Sequence, residues 1–320
     1  MQELSGQEHH TAARSCLAFL PAGAPSPHPS AAAQSSRSSS STTCAAGPPL
    51  VDVDANLCHE ALAADAAVHI DMARDVGVRQ MVVPGSDLAD SKAALDLARK
   101  YPGILYPTAG IHPYCVKDCG ELEPAMSTLA ELLADPLFTC VGECGLDFSE
   151  GFPEPELQLP FFERQVQLAV ETRKPLFLHE RLASRPFTDV LRAANAAPPG
   201  LPPCLVHCFT GTGSELSVYL QMGFYIGVTG FLLKKPHGNV LRGCLQQVPL
   251  DRLMVETDAP YLGFPGCRKG HSQPKRQYPN VPSALPLVVQ AVADAMGVSA
   301  LDVAAHSTRN ARKFFGMPPA

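Results

Sequence analysis

No run in this chain reaches the roughly 18–20 consecutive apolar residues that a membrane-crossing helix needs. A soluble protein without a membrane span is therefore expected. The 11 cysteines include no Cys-x-x-Cys, and an odd count in a 320-residue chain does not describe a disulfide framework. Three pairs stand four residues apart: Cys115/Cys119, Cys140/Cys144 and Cys204/Cys208. The last two fall in predicted strands, where four residues span roughly 13 Å, too far to share a metal. Reduced cysteines packed as small hydrophobes, in a reducing compartment, are the expectation. Positive charge is also in deficit: 25 Lys and Arg against 31 Asp and Glu leave a formal charge of −6. That argues against a broad basic face gripping nucleic acid, but not against a few phosphates held locally. No Gly-x-Gly-x-x-Gly follows the first strand-like run, which removes the main dinucleotide-binding alternative.

What is present supports a folded chain. With 46% hydrophobic and 18% charged residues there is ample material for a core. Residues 1–49 differ from the rest, with "SAAAQSSRSSSSTTCAAGPP" rich in Ala, Ser and Pro and short of large side chains that could offset ordering. A disordered, low-complexity extension is expected there. A targeting segment is the alternative, hinted at by "CLAFLPAGAP" behind Arg14; a transit peptide would carry more Arg and avoid Glu3 and Glu8. From residue 50 onward, eight apolar runs read as strands: 50–57, 78–86, 104–113, 137–148, 175–180, 203–209, 224–230 and 252–260. Helical spacing separates them: Leu122, Met126, Leu129, Leu133, then Phe162, Val166, Ala169, Val170, then Leu285, Val288, Val289, Val292, Met296. Eight apolar strands, each followed by a helix, fit an α/β (β/α)8 TIM barrel, one domain over residues 50–320.

A barrel collects function at the C-terminal ends of its strands. Polar residues interrupt the apolar runs at those ends: Glu143 in strand 4, His179 in strand 5, His207 in strand 6 and Asp258 in strand 8. Taken singly, each has a bland reading, a hydrogen-bonded core histidine or a helix cap. Taken together, two imidazoles and two carboxylates in one mouth suit a borderline or hard divalent cation. A bridging carboxylate such as Glu143 admits one ion or two, which would activate water and stabilise a leaving oxygen. His112, extended by the proline after it, is a candidate for contacting a substrate phosphate or steering a proton, or for bonding a loop. Asp147 is a candidate for orienting a ligand or a substrate group. Lys234 and Lys235 follow strand 7, and Arg268, Lys269, His271, Lys275 and Arg276 follow strand 8. Loops in those positions often hold phosphate in barrels, and a merely solvated loop is the alternative.

The segments "TAGIHPY", "VGECGLDF", "PLFLHE", "VHCFTGT", "YIGVTG", "VETDAPYL" and "HSTRNARKFFG" together resemble, in order, the signatures of the TatD-type metal-dependent deoxyribonucleases. The resemblance covers roughly residues 50–316. It implies an amidohydrolase-type TIM barrel that hydrolyses DNA phosphodiesters with Mg²⁺, or with Mn²⁺ or Zn²⁺ in its place, and several members are 3′→5′ exonucleases. Carried over by motif, Glu143, His179, His207 and Asp258 are the implied metal ligands, with Glu143 and Asp258 in the catalytic roles. His112, Asp147, Arg268, Lys275 and Arg276 fall where substrate contacts are expected. DNA is the implied partner, and no protein partner is indicated.

The departures concern details beside the ligands. After "LFLHER" the family often continues Asp-Ala-His, where this chain has Leu182-Ala183-Ser184. Its frequent Asn-Glu-Pro is Asn280-Val281-Pro282 here. Where many members carry His-x-His at the first strand end, this chain carries Asp54-Ala55-Asn56, like a subgroup with Asn-Leu in that slot. The expectation is a firm ion at His179 and His207 and a weak, oxygen-rich one near Asp258, with Asn56 as a candidate for its shell. Another metal-dependent hydrolase, acting on a small phosphoester, amide or lactone, and a non-catalytic scaffold are the competing functions. A cytoplasmic or nuclear location is expected, or an organelle if residues 1–49 are a targeting segment.

Overall fold

The computed structural model describes residues 47–268 and 280–319. Each of the eight apolar runs becomes a parallel strand: β1 Leu50–Asp52, β2 Val78–Val83, β3 Leu105–Pro107 and β4 Val141–Asp147, then β5 Leu176–Arg181, β6 Cys204–Val206, β7 Tyr225–Val228 and β8 Leu253–Val255. Two ladders, β1-β2-β3 and β4-β5-β6-β7-β8, are joined at both seams. Parallel bridges pair Ala109 with Val141 and Ala55 with Ala259. The seams are pinned by Gly142 N–H to the Ala109 carbonyl at 2.7 Å and Asn56 N–H to the Ala259 carbonyl at 2.8 Å. The sheet thus closes as the barrel expected. Most strands are shorter than the runs that predicted them, because the polar ends leave the ladder to build the mouth. Cys140 and Cys208 accordingly flank β4 and β6 rather than lie within them.

Period-two alternation sorts the strand side chains into two cores. Leu176, Leu178, Val206, Ile226, Leu253 and Val255 face outward into the core shared with the surrounding helices, to which Phe162, Val166 and Ala169 of the helix Pro155–Thr172 contribute. Val51, Val82, Phe177, Leu205, Tyr225 and Met254 face inward and are closed from below by Phe314, Phe315 and Met317. The other two helical patterns also fold as read, over Leu122–Leu133 and Leu285–Met296, with their repeating apolar residues largely buried. All nine described cysteines are free thiols, five of them buried, as small hydrophobes would be. Among the described residues no single helix is long and apolar enough to cross a membrane.

The same alternation places the site. Two residues beyond inward Phe177 comes His179, and two beyond inward Leu205 comes His207. Met254 is followed at the same spacing by Glu256 and Asp258. In β4 the outward side chains are Cys144 and Leu146, so Glu143, Gly145 and Asp147 turn inward. Gly145 has to be glycine: at φ +153° a Cβ would collide with the His179 carbonyl. That close approach lets β4 and β5 present Glu143 and His179 side by side.

Candidate metal centre

One oxygen organises the mouth of the barrel. Glu143 Oε1 lies 2.7 Å from His207 Nε2, 3.1 Å from His179 Nδ1 and 3.4 Å from His112 Nε2. Burial opposes the charge on Glu143, but the three imidazoles outweigh it and hold its carboxyl well below the usual range. Phe177 stacks beneath His207 with ring centroids 4.7 Å apart and forms the apolar floor.

The three imidazoles are not equivalent. His179 bonds Asp147 Oδ2 through Nε2 at 2.9 Å, which leaves Nδ1 facing Glu143. A carboxylate behind a ligating imidazole is the usual support of a metal-bound histidine. Asp147 is itself fixed: its Oδ1 accepts from Ser149 N–H, and its backbone exchanges bonds with Gln158. Only 2% of its side chain is exposed, and of the two expected uses, orienting a ligand or a substrate group, the bond to His179 is the one on show. His207 Nδ1 lies 3.1 Å from Asp54 Oδ2 without a hydrogen bond between them, and both atoms are buried without a hydrogen-bond partner. His112 is built differently. Its Nδ1 accepts the Tyr114 backbone N–H at 3.1 Å, so its proton sits on Nε2. Burial pulls its pKa down to about 4, leaving a neutral N–H donor rather than a free lone pair for a cation. Its extended backbone, φ −64° and ψ 144°, agrees with the effect of Pro113.

Glu143 is shared by two groups of ligand atoms that could hold a divalent cation, His112–Glu143–His179 and Asp54–Glu143–His207, so the donor set fits an ion on Glu143 with His179, His207 and Asp54 as further donors. Asp54 Oδ2 and His207 Nδ1, buried without a hydrogen-bond partner, are the polar atoms that a bound ligand would satisfy. Asp258 sits at the edge, half-buried, on a left-handed backbone (φ 52°) held by its N–H to the Asp54 carbonyl at 3.0 Å. Burial pushes its carboxyl up to about 7. Asn56 meets Asp258 through its amide nitrogen, which donates to Asp258 Oδ1 at 3.2 Å and to Asp54 Oδ1 at 3.0 Å.

Residues 51–316 match the family described as TatD related DNase. The chain belongs to that family. A TatD protein of Erwinia tasmaniensis, named a 3′-5′ ssDNA/RNA exonuclease, is 38% identical over 269 residues, or 84% of this chain and 100% of its own. Its namesake from Escherichia fergusonii is 35% identical, covering 84% and 99%. Among solved structures, the TatD homologue YJJV of Escherichia coli superposes with a TM-score of 0.74 at 25% identity, over 84% of this chain and 98% of that one. A TatD family hydrolase from Entamoeba histolytica gives 0.73 at 23%, over 85% and 99%.

Within this TatD barrel the remaining expected contacts divide. Lys234 is half-buried and electrostatically coupled to Asp258 and Cys208, with burial lowering its pKa. Arg268 is half-buried at the rim after β8. Lys275 and Arg276, with Lys269 and His271, lie outside the described residues. Leu182, in place of a frequent family acid, is an exposed left-handed residue, and Ala183 starts the following helix without a side-chain cap. Sequence reasoning missed three residues. Asp54 and Glu256 are fully buried acids, two before Asn56 and Asp258 respectively; the strand period that drew attention to the latter pair also points to the former. Phe152 lies in the loop after β4, which no periodicity marks. Its ring stands 6.4 Å from His179 at 23°, and 5.5 Å from Tyr114 edge to face.

Proposed function

We propose that this chain is a metal-dependent exonuclease that removes nucleotides from the 3′ ends of single-stranded DNA or RNA. The observation that carries it is the convergence of Glu143, His179 and His207 on one point of the barrel mouth, in a chain whose relatives bear that activity in their names. The two imidazoles and the carboxylate oxygen would hold Mg²⁺ or Mn²⁺ and also admit Zn²⁺. When bound, the ion supplies Lewis-acid polarisation of the phosphoryl oxygen and lowers the pKa of water.

The protein's own groups supply the rest. Asp258, on the open side of Glu143, is placed to accept a proton from the attacking water, and its raised pKa of about 7 suits a base working near neutrality. His112 offers its Nε2–H to a non-bridging phosphate oxygen, and Lys234 lends positive charge beside Asp258. A cation and a few donors at one point reconcile an anionic substrate with a chain of net charge −6.

A 30-nucleotide single strand labelled at its 5′ end should give a descending ladder with Mn²⁺ present, while a 3′ label should appear at once as mononucleotide. A ladder from the 3′-labelled strand, or no release from either, would overturn the reading.

Phe152 and Tyr114 flank His112 and His179 as an aromatic wall on which the terminal base stacks. Base–aromatic stacking contributes about 1–3 kcal/mol. Phe152→Ala should therefore raise KM for oligonucleotides on the order of tenfold with little change in kcat. An abasic 3′ terminus should erase the difference between variant and wild type. A persisting difference on the abasic end would move Phe152 out of the base site.

A further inference from the structure

Outside the metal centre, the turn after β5 holds a large apolar side chain out in solvent. Leu182 is 73% exposed, on a left-handed backbone at φ 55°. A residue other than glycine adopts that region at a cost, and the turn is fastened on both sides of it. The Arg181 carbonyl accepts the Phe148 N–H at 3.0 Å, which ties the turn to the loop that carries Phe152. Glu180 Oε1 accepts the Ala183 N–H at 2.9 Å, and its Oε2 accepts the hydroxyl of the fully buried Tyr219 at 2.5 Å. The leucine therefore points outward because its neighbours are anchored.

From Leu182 a cleft of about 560 Å³ lies between the helices Ser184–Ala196 and Gly213–Gln221, with Arg185, Arg192, Glu215 and Val218 on its walls. Arg185 and Arg192 stand seven residues apart, two helical turns, and so share one face. Both are exposed, as is Arg181 at the head of the cleft. Arg181 and Arg185 pair with no acid among the described residues, and Arg192 stands 3.8 Å from the exposed Asp189. Glu215, the acid on the wall, is already engaged: its Oε2 accepts the Thr212 N–H at 2.7 Å and the Thr212 hydroxyl at 2.9 Å. An exposed apolar platform followed by a row of guanidinium groups suits a single strand, with a base on the first and phosphates along the second. Leu182 comes three residues after His179, within roughly 11 Å along the backbone. A strand whose 3′ end is at the metal centre thus reaches the cleft with its next nucleotides.

We infer that this cleft binds the strand upstream of the scissile bond. The base of the second nucleotide from the 3′ end rests on Leu182, and the phosphates beyond it run past Arg185 and Arg192. The inference rests on the exonuclease reading above and deepens it: the enzyme prefers strands long enough to fill the cleft over dinucleotides.

The test is full-length protein carrying Arg185→Ala and Arg192→Ala together. Binding of a 5′-fluorescein thymidine decamer in EDTA, read by anisotropy, should weaken on the order of tenfold at about 0.1 M salt. The slope of log Kd against log salt should fall by about 1.4, two phosphates at roughly 0.7 each for a single strand. With Mn²⁺, KM for the decamer should rise to the same extent. KM and kcat for a thymidine dinucleotide, which has no phosphate that reaches the arginines, should stay within about twofold. Leu182→Gly keeps the left-handed backbone and should raise KM for the decamer about threefold through lost apolar contact. An abasic second nucleotide should erase that difference. Unchanged decamer binding in the arginine variant, or an equal loss on the dinucleotide, would overturn the inference. A ten-residue polyglutamate peptide that displaces the decamer with equal affinity would give the cleft to acidic peptides and overturn it as well. Wild-type protein that binds the decamer through the two arginines, yet releases no nucleotide with Mn²⁺, would support the cleft and overturn the exonuclease reading alone.

Discussion

Glutamine in place of Glu143 should abolish Mn²⁺ binding and lower kcat/KM on single-stranded DNA by about 10³-fold or more. The figure follows from the several kcal/mol that a catalytic ion contributes to phosphoryl transfer, at 1.36 kcal/mol per factor of ten. Glutamine has nearly the volume of glutamate and can still accept a hydrogen bond from one imidazole. What it loses is charge at the one oxygen that His207, His179 and His112 all face. His179 would keep its bond to Asp147 and His207 its stacking on Phe177, and so both would remain in place without a bridging anion. The loss should therefore appear in metal binding and rate with the circular dichroism spectrum intact. Glu143→Gln protein that still binds Mn²⁺ and cleaves within tenfold of wild type would remove Glu143 from the centre. His207→Ala is a weaker diagnostic, because it also takes a stacked ring off Phe177 and opens a cavity in the floor.

The barrel was legible in the chain because its signal is redundant. Eight apolar runs, each buried on both faces, leave few topologies, and helical spacing between them selects the closed one. Glu143, His179, His207 and Asp258 were legible for a related reason: each interrupts an apolar run where a barrel puts its mouth. Asp54 was not, since a strand end that lacks His-x-His invites attention to what is missing. Its carboxylate acquires meaning only when β6 brings His207 Nδ1 to within 3.1 Å of it. Asp147 was legible as a site residue with two open roles, orienting a ligand or a substrate group. A polar side chain at a strand end faces either ligand or substrate, and its 2.9 Å bond to His179 favours the former. Phe152 belongs to a loop, and loops carry no period to read.

The protein stripped of metal should be least stable at alkaline pH, and bound Mn²⁺ should largely cancel that dependence. Asp52 is fully buried below the mouth, and burial pushes its carboxyl from 3.8 up to about 7 despite bonds from Thr257 and the Asp54 N–H that favour the anion. Between those values the folded chain holds a proton that the unfolded chain has released, so stability falls as pH rises through the window. About three pH units correspond to roughly 4 kcal/mol at most, from Asp52 alone. Glu256, raised by burial from 4.5 to about 8, acts in the same direction. So does His179: burial opposes its protonation, yet Asp147 and Glu143 hold it up at about 9, and the stability this brings below 6.5 is lost as pH rises through 9. Glu143 and Asp147, both depressed, protect the fold above their unfolded values and fail it only in acid. Metal-free protein should therefore melt highest near pH 5 and lose about 10 °C by pH 8.5, taking roughly 2–4 °C per kcal/mol for a domain of this size. Saturating Mn²⁺, at about 1,000 times its Kd, returns on the order of 4 kcal/mol by mass action. It should do so chiefly at alkaline pH, where the site's acids and imidazoles have already shed the protons that compete with the ion. Asp52→Asn separates the buried acid from the metal site: it removes one titrating group without touching a ligand, and should make the metal-free profile shallower below pH 7 while preserving the rise with Mn²⁺. A melting temperature that climbs between pH 5 and 8.5 in the chelator-treated wild type would contradict the buried-acid account, whatever the enzyme does to DNA.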